Sequence, residues 1–119
     1  MPGIGKKVAK LEGVLHDGSM LALADLRGQS VVVYFYPKDA TPGCTNEAHE
    51  FRDLYRKFRK LGCEVVGVSR DTGASHARFR EKHALPFPLV ADTDEAWCNA
   101  FGVLGEKSLY GRRFIGDAL

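Results

Sequence analysis

Long apolar runs are missing from these 119 residues, and no stretch approaches the ~18 consecutive apolar residues that a helical membrane span needs. The start, Met1-Pro2-Gly3-Ile4-Gly5-Lys6-Lys7, also lacks the apolar core of a secretory leader, so a reducing cytoplasm is the expected compartment. Cysteine is scarce: Cys44, Cys63 and Cys98 cannot all pair internally and form no C-x-x-C, which excludes a disulfide scaffold and a zinc site. Charge of one sign is not in excess. Seventeen basic against fifteen acidic residues, well interspersed, leave a formal +2, too little to argue for a nucleic-acid or membrane surface. Repeats, low-complexity segments and linkers are absent too, and residues 1–119 read as a single domain. What is present is ordinary for a globular protein: 45% hydrophobic and 27% charged residues, with thirteen glycines marking turns.

The order of elements indicates an α/β domain. Val8 to Leu11 and Met20 to Leu23 are short strand-like runs around His16-Asp17-Gly18-Ser19, a hairpin signal. Val31-Val32-Val33-Tyr34-Phe35-Tyr36 has no polar interruption, as expected of a strand covered on both faces. Thr41-Pro42 signals a helix start, with the Thr41 hydroxyl available as a cap. Ala48, Phe51, Leu54, Tyr55, Phe58 and Leu61 then recur at helical spacing until Gly62. Glu64 to Ser69 is a second buried strand, and Ala74 to His83 a more polar helix. Leu85 to Val90, with two prolines, belongs at a sheet edge or outside it. Asp92 or Thr93 caps a short helix through Phe101, and Leu109 to Ile115 is a last extended run. The alternation predicts a mixed sheet flanked by helices.

Chemistry concentrates in Tyr34-Phe35-Tyr36-Pro37-Lys38-Asp39-Ala40-Thr41-Pro42-Gly43-Cys44-Thr45-Asn46-Glu47. This string delivers a cysteine to the first turn of a helix just beyond a buried strand. With Thr41 as N-cap, unpaired backbone N–H groups and the helix dipole face Cys44 and stabilise a negative sulfur, the reactive form of a thiol. Gly43 lets a substrate approach the backbone, and Thr41 offers a hydroxyl. Position alone is a weak signal, since a small apolar thiol is more often a buried packing residue than a nucleophile. Elsewhere, His16 falls in a turn; His49, His76 and His83 read as exposed helix residues, with an acid/base role for His49 as the lesser alternative; Trp97 reads as a core anchor, and Arg70-Asp71 as a surface ion pair ahead of a place at the border of the pocket.

The pattern Pro37-x-x-x-Thr41-x-x-Cys44 resembles the active-site motif of the peroxiredoxins, and Phe35 to Asp39 with Thr45-x-Glu47-Ala48 resembles the bacterioferritin-comigratory-protein (PrxQ) subgroup. Similarity continues through Phe51-Arg52-Asp53, Val66 to Asp71, Ser75-His76, Phe87 to Asp92 and Tyr110-Gly111. The resemblance implies a thioredoxin-like fold and a cofactor-free peroxidase acting on hydrogen peroxide and organic hydroperoxides. It makes Cys44 the peroxidatic cysteine, oxidised to sulfenic acid. Thr41 would hold the peroxide, Pro37 shield the thiolate, and the N–H groups of Gly43 and Cys44 support developing charge. The implied partner is an external thiol reductant such as thioredoxin or glutaredoxin, and the implied state is a monomer.

Two departures from the family qualify these expectations. Resolving cysteines of the subgroup stand at the positions of His49 or Arg80, so a one-cysteine cycle is expected. Cys63 lies beyond a helix about 27 Å long, too far for a disulfide with Cys44, which leaves Cys98 as the one internal candidate for resolution. Secondly, the family's later strand carries an arginine whose position falls at Leu119, so the expected molecule is a shortened member lacking C-terminal strands and a helix. Its exposed edges would favour association. The rival function is a catalytically impaired thioredoxin-like fragment serving as a binding or assembly module.

Overall fold

The computed structural model describes residues 11–26 and 28–102, and the backbone of 112–117. Residues 8–10 and 109–111 and Leu119, on which the sequence places expectations, lie outside the described residues, as do the side chains of Arg112 and Arg113. In chain order the elements are β1 (Glu12–Leu15), β2 (Met20–Ala22), a 3-10 turn (Leu23–Leu26), β3 (Ser30–Phe35), α1 (Pro42–Lys60), β4 (Cys63–Ser69), α2 (Gly73–His83), β5 (Leu89–Ala91), α3 (Ala96–Ala100) and β6 (Arg112–Asp117). The strands form one mixed sheet ordered β2-β1-β5-β4-β3-β6. β3, β4 and β5 run parallel, and the remaining pairings are antiparallel.

Alternation along β3 divides the core into two layers, because successive side chains point to opposite faces. Val31, Val33 and Phe35 pack with Val66, Val68, Trp97 and Cys98 on one face. Val32, Tyr34 and Tyr36 pack with Cys44, Ala48, Phe51, Phe79 and Phe87 on the other. α1 therefore covers one face of the sheet and α3 the opposite one.

Several boundaries differ from the sequence expectation. Among the described residues the first strand is Glu12–Leu15, and the tight turn in which Leu15 N–H donates to the Ser19 carbonyl (2.8 Å) places the hairpin strands directly beside it. Gly18, with φ of 84°, holds the left-handed position of that turn. In α1, Ala48 and Phe51 are buried and Tyr55 and Phe58 half-buried, whereas Leu54 and Leu61 are exposed. At ~100° per residue those two leucines lie roughly a quarter-turn from the centre of the buried stripe. The segment around Pro86 and Pro88 does not run along an edge. Both prolines precede β5, which sits inside the sheet between β1 and β4, and Pro88 contributes only its carbonyl, accepting from Gly67 N–H (3.1 Å).

Candidate active site

β3 runs into buried Tyr36 and half-buried Pro37, after which the chain turns through Lys38, Asp39 and Ala40 to the N-cap Thr41. Ala40 has φ of 64°, a left-handed conformation that a residue with a side chain keeps only where neighbours impose it. Pro42 opens α1, Gly43 is exposed, and Cys44 follows as the third helical residue, 4% exposed.

Thr41 is the N-cap by backbone geometry, but its hydroxyl does not cap the helix. It donates instead to the Lys38 carbonyl (3.0 Å), closing the loop, so the first turn of α1 carries no side-chain cap. The hydroxyl's hydrogen is engaged, and its lone pairs are left to accept. Thr45 N–H donates to the Thr41 carbonyl (2.8 Å), which begins the helical ladder immediately after Cys44.

Behind this loop lies a polar cluster that sequence reading missed. His76, read as exposed, is fully buried. Its Nδ1 lies 2.7 Å from Asp39 Oδ2, and its Nε2 donates to the Val90 carbonyl at 2.9 Å. Tyr36 Oη donates to Asp39 Oδ1 (2.7 Å) and Ser75 Oγ to Asp39 Oδ2 (2.8 Å). The spacing of His76 and Phe79, both buried on one side of α2, was the available signal. Arg70 and Asp71 do not form a surface pair with each other, and Asp71 instead borders the loop that precedes Cys44. Arg70 reaches Glu95 at 3.8 Å, while Asp71 turns inward to accept from the Asp39 N–H (2.8 Å) and from Ser69 Oγ. The Asp71 carboxylate thereby satisfies one loop N–H together with the hydroxyl of Ser69 in β4.

The other thiols sit elsewhere. Cys63 is buried at the start of β4, beyond the far end of α1, and burial raises its pKa. Cys98, 1% exposed, lies across the sheet from Cys44, in the layer with Trp97. Burial first, and then the Asp92 carboxylate, push its pKa up to about 12. Asp92 itself caps α3, accepting from the N–H groups of Trp97 (2.9 Å) and Cys98 (3.0 Å). The sheet thus stands between Cys44 and Cys98, and this arrangement does not support Cys98 as a resolving residue. At the two positions where the subgroup carries resolving cysteines, His49 Nε2 lies 3.0 Å from His83 Nδ1, and Arg80 donates to the Phe87 carbonyl (2.9 Å).

Residues 4–115 match the AhpC/TSA family. The chain belongs to that family. Within it, relatives and solved neighbours place the chain with the Bcp/PrxQ peroxiredoxins, in agreement with the motif around Cys44. A putative Bcp peroxiredoxin of Coxiella burnetii is 42% identical over 113 residues, covering 95% of this chain and 75% of the relative. Peroxiredoxin Bcp of Xanthomonas campestris is 47% identical over 102 residues, covering 86% and 64%. A solved peroxiredoxin Q from Xanthomonas campestris superposes with a TM-score of 0.82 at 43% identity, covering 96% of this chain and 73% of that one. Peroxidoxin BcpB from Mycobacterium tuberculosis gives 0.85 at 33% identity, covering 99% and 80%. The fold is accordingly the thioredoxin-like fold of peroxiredoxins. The chain spans 64% to 75% of the length of the two curated relatives named here. Among the described residues no helix is long and apolar enough to cross a membrane.

Proposed function

We propose that this chain is a thiol-dependent peroxidase in which Cys44 is the peroxidatic residue. The observation that carries the reading is the position of Cys44 in the uncapped first turn of α1, three residues after Thr41, whose hydroxyl hydrogen is already donated. The solved Xanthomonas campestris bacterioferritin comigratory protein, 42% identical, is described as having an alkyl peroxide reduction activity.

In the proposed step the Cys44 sulfur attacks the terminal peroxide oxygen. An S–O bond forms, the O–O bond breaks, and the departing oxygen leaves as water or alcohol once protonated, while Cys44 becomes a sulfenic acid. The Thr41 oxygen accepts the peroxide's hydrogen and fixes its orientation. Backbone N–H groups at Gly43 and Cys44 face the charge that moves across the O–O bond, and Pro37 limits water at the sulfur. An external dithiol of the thioredoxin or glutaredoxin type then attacks the sulfenic sulfur, releasing water, and its second thiol frees Cys44. No observation on the described residues favours the rival reading of a non-catalytic binding or assembly module. We also take the whole chain as one domain in a cytoplasmic setting.

Stopped-flow mixing with hydrogen peroxide, followed by dimedone trapping and mass spectrometry, tests the reading. Peroxide consumption with dimedone on Cys44 alone is expected, and Cys44→Ser should abolish both. Consumption at an unchanged rate by Cys44→Ser would refute it.

A further inference from the structure

Asp39 has no part in the chemistry just described, yet its carboxylate accepts from Tyr36 Oη at the end of β3 (2.7 Å) and from Ser75 Oγ of α2 (2.8 Å), and lies 2.7 Å from His76 Nδ1. Burial first, then Tyr34 and Asp39, raise the Tyr36 pKa well above its ordinary value, so the phenol stays a donor. The Asp39 N–H donates to Asp71, two residues beyond the end of β4 (2.8 Å), and His76 Nε2 donates to Val90 in β5 (2.9 Å). One loop residue is thereby fastened to β3, β4, α2 and, through His76, β5. The next residue is left-handed Ala40, then Thr41, and Cys44 follows three residues later. Asp39, Asp71 and His76 are close enough to suggest a cation site, but their polar atoms already meet protein partners.

We infer that Asp39 and His76 are positioning residues for the peroxide reaction. By fixing the Lys38 to Thr41 turn, they aim the Thr41 hydroxyl and the first N–H groups of α1 at the oxygen that Cys44 attacks. Neither residue touches the peroxide. This rests on the reading of Cys44 as the peroxidatic residue. Aligned attack on an O–O bond depends on that geometry, whereas alkylation of the same sulfur by iodoacetamide needs only an accessible thiolate.

The test compares the full chain with Asp39→Asn, His76→Gln and the double variant, measuring the rates of Cys44 with hydrogen peroxide and with iodoacetamide. Asparagine keeps the shape of Asp39 but turns an N–H₂ toward groups that donate. Each single variant is expected to lose roughly tenfold or more in peroxide rate while alkylation stays within about threefold. The double variant should be no slower than the slower single, because both act through one network. Ser75→Ala removes a single donor with little change of volume and supplies a folded variant if a buried substitution fails to fold; its peroxide rate should fall by less, again with alkylation unchanged. Unchanged peroxide rates in the folded variants would overturn the inference, as would peroxide and alkylation rates falling in parallel. Failure of the underlying reading looks different: Cys44→Ser would then consume peroxide as fast as the parent chain.

Discussion

Replacing Thr41 by valine removes one oxygen atom from the proposed site and leaves its shape nearly unchanged. In the folded chain that oxygen's hydrogen goes to the Lys38 carbonyl at 3.0 Å, and the side chain is half-exposed. The stability term is small: a single hydrogen bond at such a place contributes about 0.5–1 kcal/mol, and the freed carbonyl can turn to water. The kinetic term is larger. If the hydroxyl accepts from the peroxide in the transition state, losing that preorganised contact should cost ~3 kcal/mol, or about a hundredfold in the second-order rate. Thr41→Ser retains the oxygen and should stay within roughly tenfold of the parent, the loss reflecting a freer rotamer. The assay is single-turnover stopped flow with hydrogen peroxide, with iodoacetamide alkylation of Cys44 as the internal control. Parent-like peroxide kinetics in Thr41→Val would refute the assignment of the hydroxyl. Equal loss in the peroxide and alkylation rates would show that Thr41 acts on the thiol itself.

Other outcomes follow from the same geometry. Alkylation near neutral pH, read by mass spectrometry, should modify Cys44 first, since burial raises the pKa of both Cys63 and Cys98, the latter to about 12; equal labelling of all three would contradict this. Burial lowers the pKa of His16 and His83 from 6.5, with Arg80 adding to the effect at His16 and His49 at His83. The unfolded chain thus binds more protons on the acid side, so the stability present above ~6.5 should decline as pH falls from there. Denaturant midpoints between about pH 7.5 and 5.5 should drop less for His83→Gln than for the parent; an equal drop would remove His83 from the account. Gly67→Ala would place a methyl 2.7 Å from Leu89 Cδ2 and 3.0 Å from the Tyr34 ring, and should destabilise by about 1–3 kcal/mol in denaturant unfolding. An unchanged midpoint would mean that Leu89 and Tyr34 move aside freely.

The position of Cys44 was legible because every cue for it is local. An unbroken apolar strand, a proline that stops it, a Thr-Pro helix start and a stripe of aromatic residues all fall within some thirty residues of sequence, and each acts on its own neighbours. The direction of the Thr41 hydroxyl was not legible. A threonine before a helix can cap an N–H or close the preceding turn, and the choice here follows Ala40, whose left-handed backbone brings the Lys38 carbonyl within reach.

His76 shows the other limit. Polar by composition and set in a helix with Arg78, Arg80 and Lys82, it invites an exposed reading, and only its spacing to Phe79 argues otherwise. Its partner Asp39 lies 37 residues earlier, in the loop after β3, separated from α2 by a helix and another strand. No local pattern reports such a pairing, but a buried histidine and aspartate must find partners or destabilise the fold. Once β4 is set between β3 and β5, the ends of those strands converge beneath the loop that carries Asp39. The parallel β3, β4 and β5 that form the core therefore also bring together the acceptors and donors that hold this loop. For that reason, substitutions at the β4 end, such as Asp71→Asn, should perturb the geometry at Cys44 without touching the sulfur.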